Sequence, residues 1–179
     1  DGDCTSIGGN HFIHAARRNI DITTVVFNNN NYGMTGGQFS PTTPTGSKTR
    51  TTVYGSIDPS FDISELARVA GATYVARSTT YHVTMMIDQI EKAIMHKGFS
   101  VVEAMCDCPT LYGRLNKKGD AVAMMLAHKE NSVTVNRAKT MSEEELEGKF
   151  IIGEIVHNTK RPEYTALYDD LIKLAKEGE

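Results

Sequence analysis

The sequence lacks the features that mark secreted and membrane-spanning proteins. No apolar run approaches the roughly 18 residues of a membrane-spanning helix, and no signal-peptide pattern of basic, apolar and small residues opens the chain. The cysteines, Cys4, Cys106 and Cys108, are too few and odd in number, which excludes a disulfide scaffold. We therefore expect a cytoplasmic protein whose cysteines are thiols or metal ligands.

An excess of positive charge is also absent. The 179 residues carry a net charge of −3, which gives no bulk attraction to nucleic acid or to anionic membranes. Apolar residues make up 40% of the chain, enough for the core of one globular domain. We expect neither nucleic acid nor membrane as a partner. Because no initiator Met precedes Asp1, we also expect the chain to be part of a longer protein.

Helix and strand patterns alternate over the first part of the chain. The expected helices and strands are, in chain order, 8–18, 22–27, 63–70, 73–77, 80–97 and 99–105. The first strand pattern, ITTVVF, is β-branched and apolar, as in a strand that is covered on both faces. The alternation predicts an α/β fold, a parallel sheet with helices on both faces.

After Cys108 the regular alternation stops. We expect helices at 122–130, 142–148 and 164–176 and a strand at 150–156. No internal repeat marks a second domain. We therefore divide the chain into an α/β core, residues 1–110, and a C-terminal arm, residues 111–179, that packs on the core or on a partner subunit.

Two polar stretches lie where strands should give way to loops: DGD at the start of the chain and NNNN after the first strand. Ligands of open parallel sheets bind beyond the carboxyl ends of the strands, and Mg²⁺ prefers oxygen ligands. The carboxylate of Asp1, the amide oxygen of Asn29 and the main-chain carbonyl of Asn31 would supply three oxygens, while Gly2 would let a diphosphate approach the backbone. Each stretch alone is more typical of a turn or surface loop, but the pair favours a site for Mg²⁺ and a diphosphate.

The spacing from DGD to NN resembles the thiamine-diphosphate motif that begins with GDG and ends with NN, although the first Gly is absent here. More specifically, the sequence is similar to the β subunits of 2-oxoacid:ferredoxin oxidoreductases. The similarity is carried by DGDCTSIGGNHFIHAARRNIDITTVVFNNNNYGMTGGQFSPTTPTG and VEAMCDCPTLYGR, covers residues 1–116 closely and continues loosely through RPEY. It implies a thiamine-diphosphate-binding fold of the diphosphate-binding type that lacks the family's N-terminal segment.

This resemblance implies that Asp1 and the side chain of Asn29 ligate Mg²⁺, with the carbonyl of Asn31 as the third protein ligand. The other residues implied to line the thiamine diphosphate are Gly2, Asp3, Tyr32, Gly33, Met34 and Thr35. Pyruvate-specific relatives carry a polar Asn where this chain has Met34. The loop is most similar to enzymes of the 2-oxoglutarate type, with branched-chain and aryl 2-oxoacids as alternatives.

The resemblance also implies an iron–sulfur cluster, which takes about four thiolates. In the family, three of these cysteines lie upstream of the GDG motif, and the fourth stands at the position of Cys108. Cys108 is thus the implied ligand, and Cys106 is a weaker candidate. The alternative is that both are small buried residues at a strand end. A [4Fe-4S] cluster would therefore need cysteines from a segment upstream of Asp1.

The implied reaction is the oxidative decarboxylation of a 2-oxoacid to an acyl-CoA and CO₂, with electrons passed to ferredoxin. The implied partners are an α subunit in a hetero-oligomer, ferredoxin, the 2-oxoacid and coenzyme A. The family places the Glu that activates the cofactor in a partner, so we expect the isolated chain to be inactive. A non-catalytic α/β assembly fragment is the alternative. The CDCPT and TGGQ stretches disfavour a thiamine decarboxylase or synthase without a cluster.

Overall fold

The computed structural model describes residues 1–177 and has a five-stranded sheet at its centre. The strands are β1 (Thr23–Asn28), β2 (Tyr74–Thr79), β3 (Ser100–Met105), β4 (Ser132–Thr134) and β5 (Phe150–His157). The helices are α1 (Gly2–Thr5), α2 (Gly9–Arg18), α3 (Ile63–Ala70), α4 (Val83–Met95), α5 (Ala121–Asn131), α6 (Val135–Ala138), α7 (Glu143–Leu146) and α8 (Tyr164–Glu177). A short π-helix, Pro109–Gly113, follows β3.

The sheet is mixed, with the strand order β1-β3-β2-β5-β4. β1, β3 and β2 are parallel, as the alternating pattern predicts. β5 is antiparallel to β2, and β4 is parallel to β5. The predicted parallel sheet is thus present in β1, β3 and β2, while β5, which the sequence predicts only as a strand, runs antiparallel to β2. The chain reaches this strand at the carboxyl end of β2, since Arg77 pairs with Gly153 and Tyr74 with His157, and it must therefore run back along β2.

Helices cover both faces of the parallel strands, which confirms the α/β class. Every residue of β2 and β3 is buried, and alternate side chains point to opposite faces. One face packs against α2 and α3 in a cluster that includes Phe12, Ala16, Val26, Ile63, Ala67, Val75 and Val101. The other face packs against α4 in the cluster Tyr74, Ala76, Ala93 and Val102.

β1 lies at the edge of the sheet, and the prediction that it is covered on both faces is wrong at its carboxyl end. Val26 is buried on the α2 face. On the opposite face Val25 packs beside α4, whereas Phe27, two residues further along, is 65% exposed. α4 therefore covers only the first part of this edge strand.

The residues before α8 attach to the core, while α8 itself is exposed. Arg161 Nη1 donates to the carbonyl of Gly71 across 2.6 Å, and Asn19 Nδ2 donates to that of Pro162 across 3.0 Å. In α8, Leu167 and Leu171 are more than half exposed. The division into a core and an arm stays a prediction, although β5 of the arm region belongs to the central sheet. Among the described residues, we find no helix with the length and apolar character that crossing a membrane requires.

Candidate metal and cofactor site

The two polar stretches meet at the carboxyl end of β1. After this strand the chain turns through Asn29, Asn30 and Asn31, and the Asn29 side-chain oxygen accepts a hydrogen bond from the main-chain nitrogen of Asn31 across 3.3 Å. Asn30 has a φ of 63°, in the left-handed region that Asn adopts more readily than most residues. The main-chain nitrogen of Asp1 donates to the carbonyl of Phe27 across 2.8 Å. The fold therefore brings the start of the chain to the Asn run.

The Asp1 carboxylate is held by hydroxyl groups of the Thr-rich loop. Ser40 Oγ donates to Asp1 Oδ2 across 2.8 Å, and Thr42 Oγ1 donates to the same oxygen. Ser40 and Thr42 are both buried. In the part of the chain that the structure describes, no hydrogen bond reaches Asp1 Oδ1. One carboxylate oxygen is therefore fixed by the protein, and the other can take a cation.

Asn31 contributes a buried oxygen that lacks a protein partner among residues 1–177. The residue is 2% exposed, and its Oδ1 accepts no hydrogen bond there, while its Nδ2 donates to Cys108 Sγ across 3.7 Å. A Cβ atom on Gly33 would lie 3.5 Å from Asn29 Nδ2 and 3.8 Å from both Asn31 Oδ1 and Cys108 Sγ. A buried polar atom without a partner costs free energy. The Asn31 side-chain oxygen is thus a polar atom left for a ligand, beside the main-chain carbonyl of the same residue that is the predicted Mg²⁺ ligand. The oxygens of Asp1 and of the Asn run are of the type that a hard cation such as Mg²⁺ takes.

The residues after the Asn run form a closed loop. Tyr32 and Gln38 pair as an isolated β-bridge, and the nitrogen of Gly37 donates to the carbonyl of Tyr32 across 2.8 Å. Thr35 Oγ1 donates to Gln38 Oε1 across 2.8 Å. Met34 lies at the tip of this loop with its side chain fully exposed. The loop thus presents Met34 outward, beyond the oxygen donors at its base.

Gly2 lies directly under the ring of Tyr32. A Cβ atom on Gly2 would be 2.4 Å from the nearest ring atom, so any larger residue would force the Tyr32 ring to move. The Tyr32 hydroxyl and Ser6 Oγ are 2.5 Å apart. Close packing against Tyr32 therefore requires glycine here, a reason that the sequence alone did not indicate. Asp3, one residue further on, is exposed.

A buried charged network anchors the start of the site. Glu103 in β3 is 2% exposed and accepts hydrogen bonds from Asn28 Nδ2 at 2.8 Å, Ser64 Oγ at 2.7 Å and Arg77 Nε at 2.8 Å. Arg77 also pairs with Asp62. Since Asn28 ends β1, Glu103 fixes the strand end from which the Asn run begins. Sequence reasoning missed this network, although a single acid in SVVEAM and a single Arg in YVARST are unusual in buried strands.

The three cysteines lie near the site but do not form a metal centre. Burial, followed by the charge of Asp107, raises the pKa of Cys106 to about 11, and burial raises the pKa of Cys4. Both are therefore thiols near neutral pH. Cys108 is buried beside Asn31. Within residues 1–177, no three His, Cys, Asp or Glu side chains are grouped to hold a metal ion. The described residues alone therefore do not fit an iron–sulfur cluster.

A cavity of about 590 Å³ opens beside the site and is lined by residues from both parts of the chain. Asn30 and Thr42 line it from the cofactor side, and Asp107 and His128 face each other across 3.4 Å within it. Burial lowers the pKa of His128 and raises that of Asp107, and the attraction between the two charges opposes both shifts. Sequence reasoning missed this pair, since it forms only when α5 folds over the end of β3.

Comparison with protein families identifies the family to which the chain belongs. The family model "Thiamine pyrophosphate enzyme, C-terminal TPP binding domain" matches residues 1–104. The chain therefore belongs to the thiamine pyrophosphate enzyme family, and the matched residues contain Asp1, the Asn run and the hydroxyls that hold Asp1. Thiamine diphosphate is thus the cofactor of this domain family.

More specific similarities are to oxidoreductase subunits. The chain is 51% identical over 176 residues to "2-oxoglutarate synthase subunit KorB" of Methanocaldococcus jannaschii, covering 98% of this chain and 65% of that protein. It is 43% identical over 123 residues to "2-oxoglutarate oxidoreductase subunit KorB" of Mycobacterium tuberculosis, covering 66% of this chain and 33% of that protein. The chain thus spans less than two thirds of the length of these relatives.

A solved structure has the same fold. It is "2-oxoglutarate:ferredoxin oxidoreductase from Magnetococcus marinus with 2-oxoglutarate, coenzyme A and succinyl-CoA bound", with a TM-score of 0.81 and 26% identity. The match covers 98% of this chain and 60% of that chain. The predicted resemblance to β subunits of 2-oxoacid:ferredoxin oxidoreductases is therefore confirmed.

Proposed function

We propose that this chain is the Mg²⁺- and diphosphate-binding part of a thiamine-dependent 2-oxoacid:ferredoxin oxidoreductase. The reaction is the oxidative decarboxylation of a 2-oxoacid to an acyl-CoA and CO₂, with electrons passed to ferredoxin. The observation that carries the proposal is the placement of Asp1, with one oxygen fixed by two buried hydroxyls, beside the Asn run. In that run the side-chain Oδ1 of Asn31 is buried and has no partner among residues 1–177. This arrangement occurs inside the matched thiamine pyrophosphate domain.

The residues of this chain would bind and orient the cofactor. Asp1 and Asn29 would hold Mg²⁺ through side-chain oxygens and Asn31 through its carbonyl, and the cation would join them to the diphosphate. Gly2, Asp3 and the 32–35 loop would lie along the rest of the cofactor. When bound, thiamine diphosphate supplies the electron sink for decarboxylation of a 2-oxoacid. The chain's contribution is the position and charge balance of the diphosphate.

We place the activating Glu in a partner, as the family does. Glu103, the buried acid at this edge of the sheet, already accepts hydrogen bonds from Asn28, Ser64 and Arg77, so it is committed to the fold. We therefore place the cofactor at an interface with an α subunit in a hetero-oligomer. Ferredoxin, coenzyme A and the cysteines that complete a [4Fe-4S] cluster with Cys108 belong to this same assembly.

2-Oxoglutarate is the proposed substrate. The relatives named above act, by their names, on 2-oxoglutarate, and the YGMTGGQ loop carries Met34 in place of the Asn of pyruvate-specific enzymes. Branched-chain and aryl 2-oxoacids are the alternatives. The test is an assay of the complete enzyme complex for CO₂ release and viologen reduction with 2-oxoglutarate, pyruvate and 2-oxoisovalerate. We expect the highest kcat/KM with 2-oxoglutarate, and a higher value with pyruvate would contradict the substrate.

A cofactor titration of the complete complex and of the isolated chain distinguishes the enzyme from a non-catalytic assembly module. Titration of the complete complex with thiamine diphosphate and Mg²⁺ should show saturable binding, whereas the isolated chain should bind weakly or not at all. Absence of binding to the complete complex would favour the assembly module. Tight binding by the isolated chain would instead contradict an interface site.

A further inference from the structure

A short turn in the Thr-rich loop contacts both halves of the candidate metal site. We call residues 40–43, Ser-Pro-Thr-Thr, the SPTT turn; the nitrogen of Thr43 donates to the carbonyl of Ser40 across 2.8 Å and closes it. Ser40 and Thr42 donate to Asp1 Oδ2. Thr43 Oγ1 donates to the main-chain carbonyl of Asn30 across 2.7 Å. One turn thus binds the Asp1 carboxylate and the middle of the Asn run.

The hydroxyl hydrogens of this turn are directed to these contacts. Ser40 Oγ and Thr42 Oγ1 also lie 2.9 Å apart, but both donate to Asp1 Oδ2. Ser40 and Thr43 are 0% exposed and Thr42 is 3% exposed, so water does not compete for them. The nitrogen of Ser40 donates to Thr43 Oγ1 across 2.9 Å, which orients that hydroxyl toward Asn30. Each hydroxyl has one hydrogen, and here each hydrogen goes to a group of the metal site. The main-chain nitrogens of Ser40 and Thr43 therefore close the turn, while its three hydroxyl hydrogens are directed to Asp1 and Asn30.

We propose that Ser40, Thr42 and Thr43 are positioning residues for the metal site: they fix Asp1 Oδ2 and the Asn30 carbonyl so that Asp1 Oδ1 and the flanking Asn oxygens face one cation. This inference rests on the proposed function. Two donors on one carboxylate oxygen hold the carboxylate plane and leave the second oxygen for the metal. Outer hydrogen-bond partners of metal ligands commonly change metal affinity by about 10- to 100-fold when they are removed.

The test uses the complete enzyme complex, stripped of metal and cofactor, with Mn²⁺ as the probe. Mn²⁺ is titrated in the presence of saturating thiamine diphosphate, and free Mn²⁺ is measured by electron paramagnetic resonance. Thr42→Val keeps the shape of the side chain but removes the hydroxyl, and should raise the Mn²⁺ concentration at half-saturation by about 10-fold or more. Thr42→Ser restores the hydroxyl and should restore the affinity to within a few-fold of wild type.

Thr49→Val is the matched control. Thr49 is 2% exposed and lies in the same loop, but its hydroxyl lies 2.7 Å from that of Thr52 and its hydrogen bonds do not involve Asp1 or Asn30. The complex with Thr49→Val should bind Mn²⁺ with the affinity of wild type. Equal Mn²⁺ affinity in Thr42→Val and wild type would overturn the inference, as would an equal loss in Thr49→Val.

Ser40→Ala provides a second variant if Thr42→Val fails to assemble. It removes the other donor to Asp1 Oδ2, and unchanged Mn²⁺ affinity in this variant would also overturn the inference. Failure of the wild-type complex to bind Mn²⁺ with thiamine diphosphate would overturn the proposed function itself. The two failures are therefore distinguished by the wild-type titration.

Discussion

Asn31 Nδ2 donates to the sulfur of Cys108 across 3.7 Å and joins the loop after β1 to the segment after β3. The strand register explains this contact. Asn28 pairs with Met105 in the parallel ladder, and Asn31 and Cys108 each lie three residues beyond that pair. The Asn run and the CDCPT segment are therefore neighbours because β1 and β3 are neighbours. A change at either residue should affect both the metal loop and the cysteine.

The first prediction separates the two cysteines of the CDCPT segment. In the complete enzyme, Cys108→Ser should lower the iron content and the rate of viologen reduction, because we propose Cys108 as a cluster ligand. Cys106→Ser should keep both, because the family's fourth cluster cysteine stands at the position of Cys108 and not at that of Cys106. Iron analysis and viologen reduction measure the outcome. Loss of iron in Cys106→Ser with retention in Cys108→Ser would reverse the assignment.

The second prediction concerns the Asn run. Asn29→Ala removes a proposed Mg²⁺ ligand and should abolish cofactor-dependent CO₂ release by the complete enzyme. The same change removes one hydrogen bond, from Asn29 Oδ1 to the nitrogen of Asn31, so the free energy of unfolding should fall by only about 1 kcal/mol. Asn30→Gly is the control, since glycine tolerates the left-handed backbone at this position. Unchanged activity of Asn29→Ala would mean that the Asn run is only a turn.

The third prediction tests the buried network at the end of β1. Glu103→Gln removes the negative charge beside the buried Arg77, which then keeps only Asp62 as a charged partner. It also places an amide donor where Asn28, Ser64 and Arg77 all donate to the carboxylate, and should lower the free energy of unfolding by about 3–5 kcal/mol. Glu65→Gln is the matched control, since the Glu65–Arg68 pair is about half exposed and should contribute no more than about 1 kcal/mol. Chemical denaturation of both variants measures the difference. Similar losses of unfolding free energy in the two variants would show that the hydrogen bonds of Glu103 do not stabilise the fold more than an exposed ion pair does.

Local signals predicted the helices well, and the sheet less completely. The predicted helix 63–70 matches α3: Asp62 caps it by accepting from the nitrogen of Glu65 across 2.9 Å, and Gly71 ends it at a φ of 98°, both common residues at these positions. The strand order and the direction of β5 could not be predicted, because they depend on where the chain re-enters the sheet after α5. The exposure of Phe27 could not be predicted either, because it depends on β1 being an edge strand that α4 covers only in part.

The candidate site could be predicted only in part. Asp1, Asn29 and Asn31 could be proposed as ligands because their spacing resembles a known motif and because strand ends meet at one edge, and their roles stay a prediction. Ser40, Thr42 and Glu103 were missed, since a hydroxyl in a Thr-rich loop and an acid in a strand reveal their partners only after folding. The sequence thus indicated the proposed ligands but not the residues that hold them.

The last prediction concerns the pH dependence of stability through His96, the buried residue at the end of α4. His96 Nε2 donates to Thr73 Oγ1 across 2.8 Å, since the Thr73 hydroxyl gives its hydrogen to Asn19 Oδ1 across 2.7 Å. Burial, followed by the charge of His157, lowers the pKa of His96 below its ordinary 6.5, and Asp21 opposes the shift. The folded protein therefore resists protonation of this ring.

Acidification should destabilise the folded protein through His96, because the unfolded chain binds a proton more readily at this residue. Below about pH 6.5 the unfolded chain binds a proton at His96 that the folded chain excludes, so stability falls as the pH decreases toward the folded pKa and is fully present above about pH 6.5. Denaturation of wild type and His96→Gln between about pH 5 and 7 measures this contribution. Glutamine can still donate to Thr73 but cannot titrate, so the variant should lose less stability on acidification. Equal slopes in the two proteins would contradict the prediction, because the pH dependence would then come from groups other than His96.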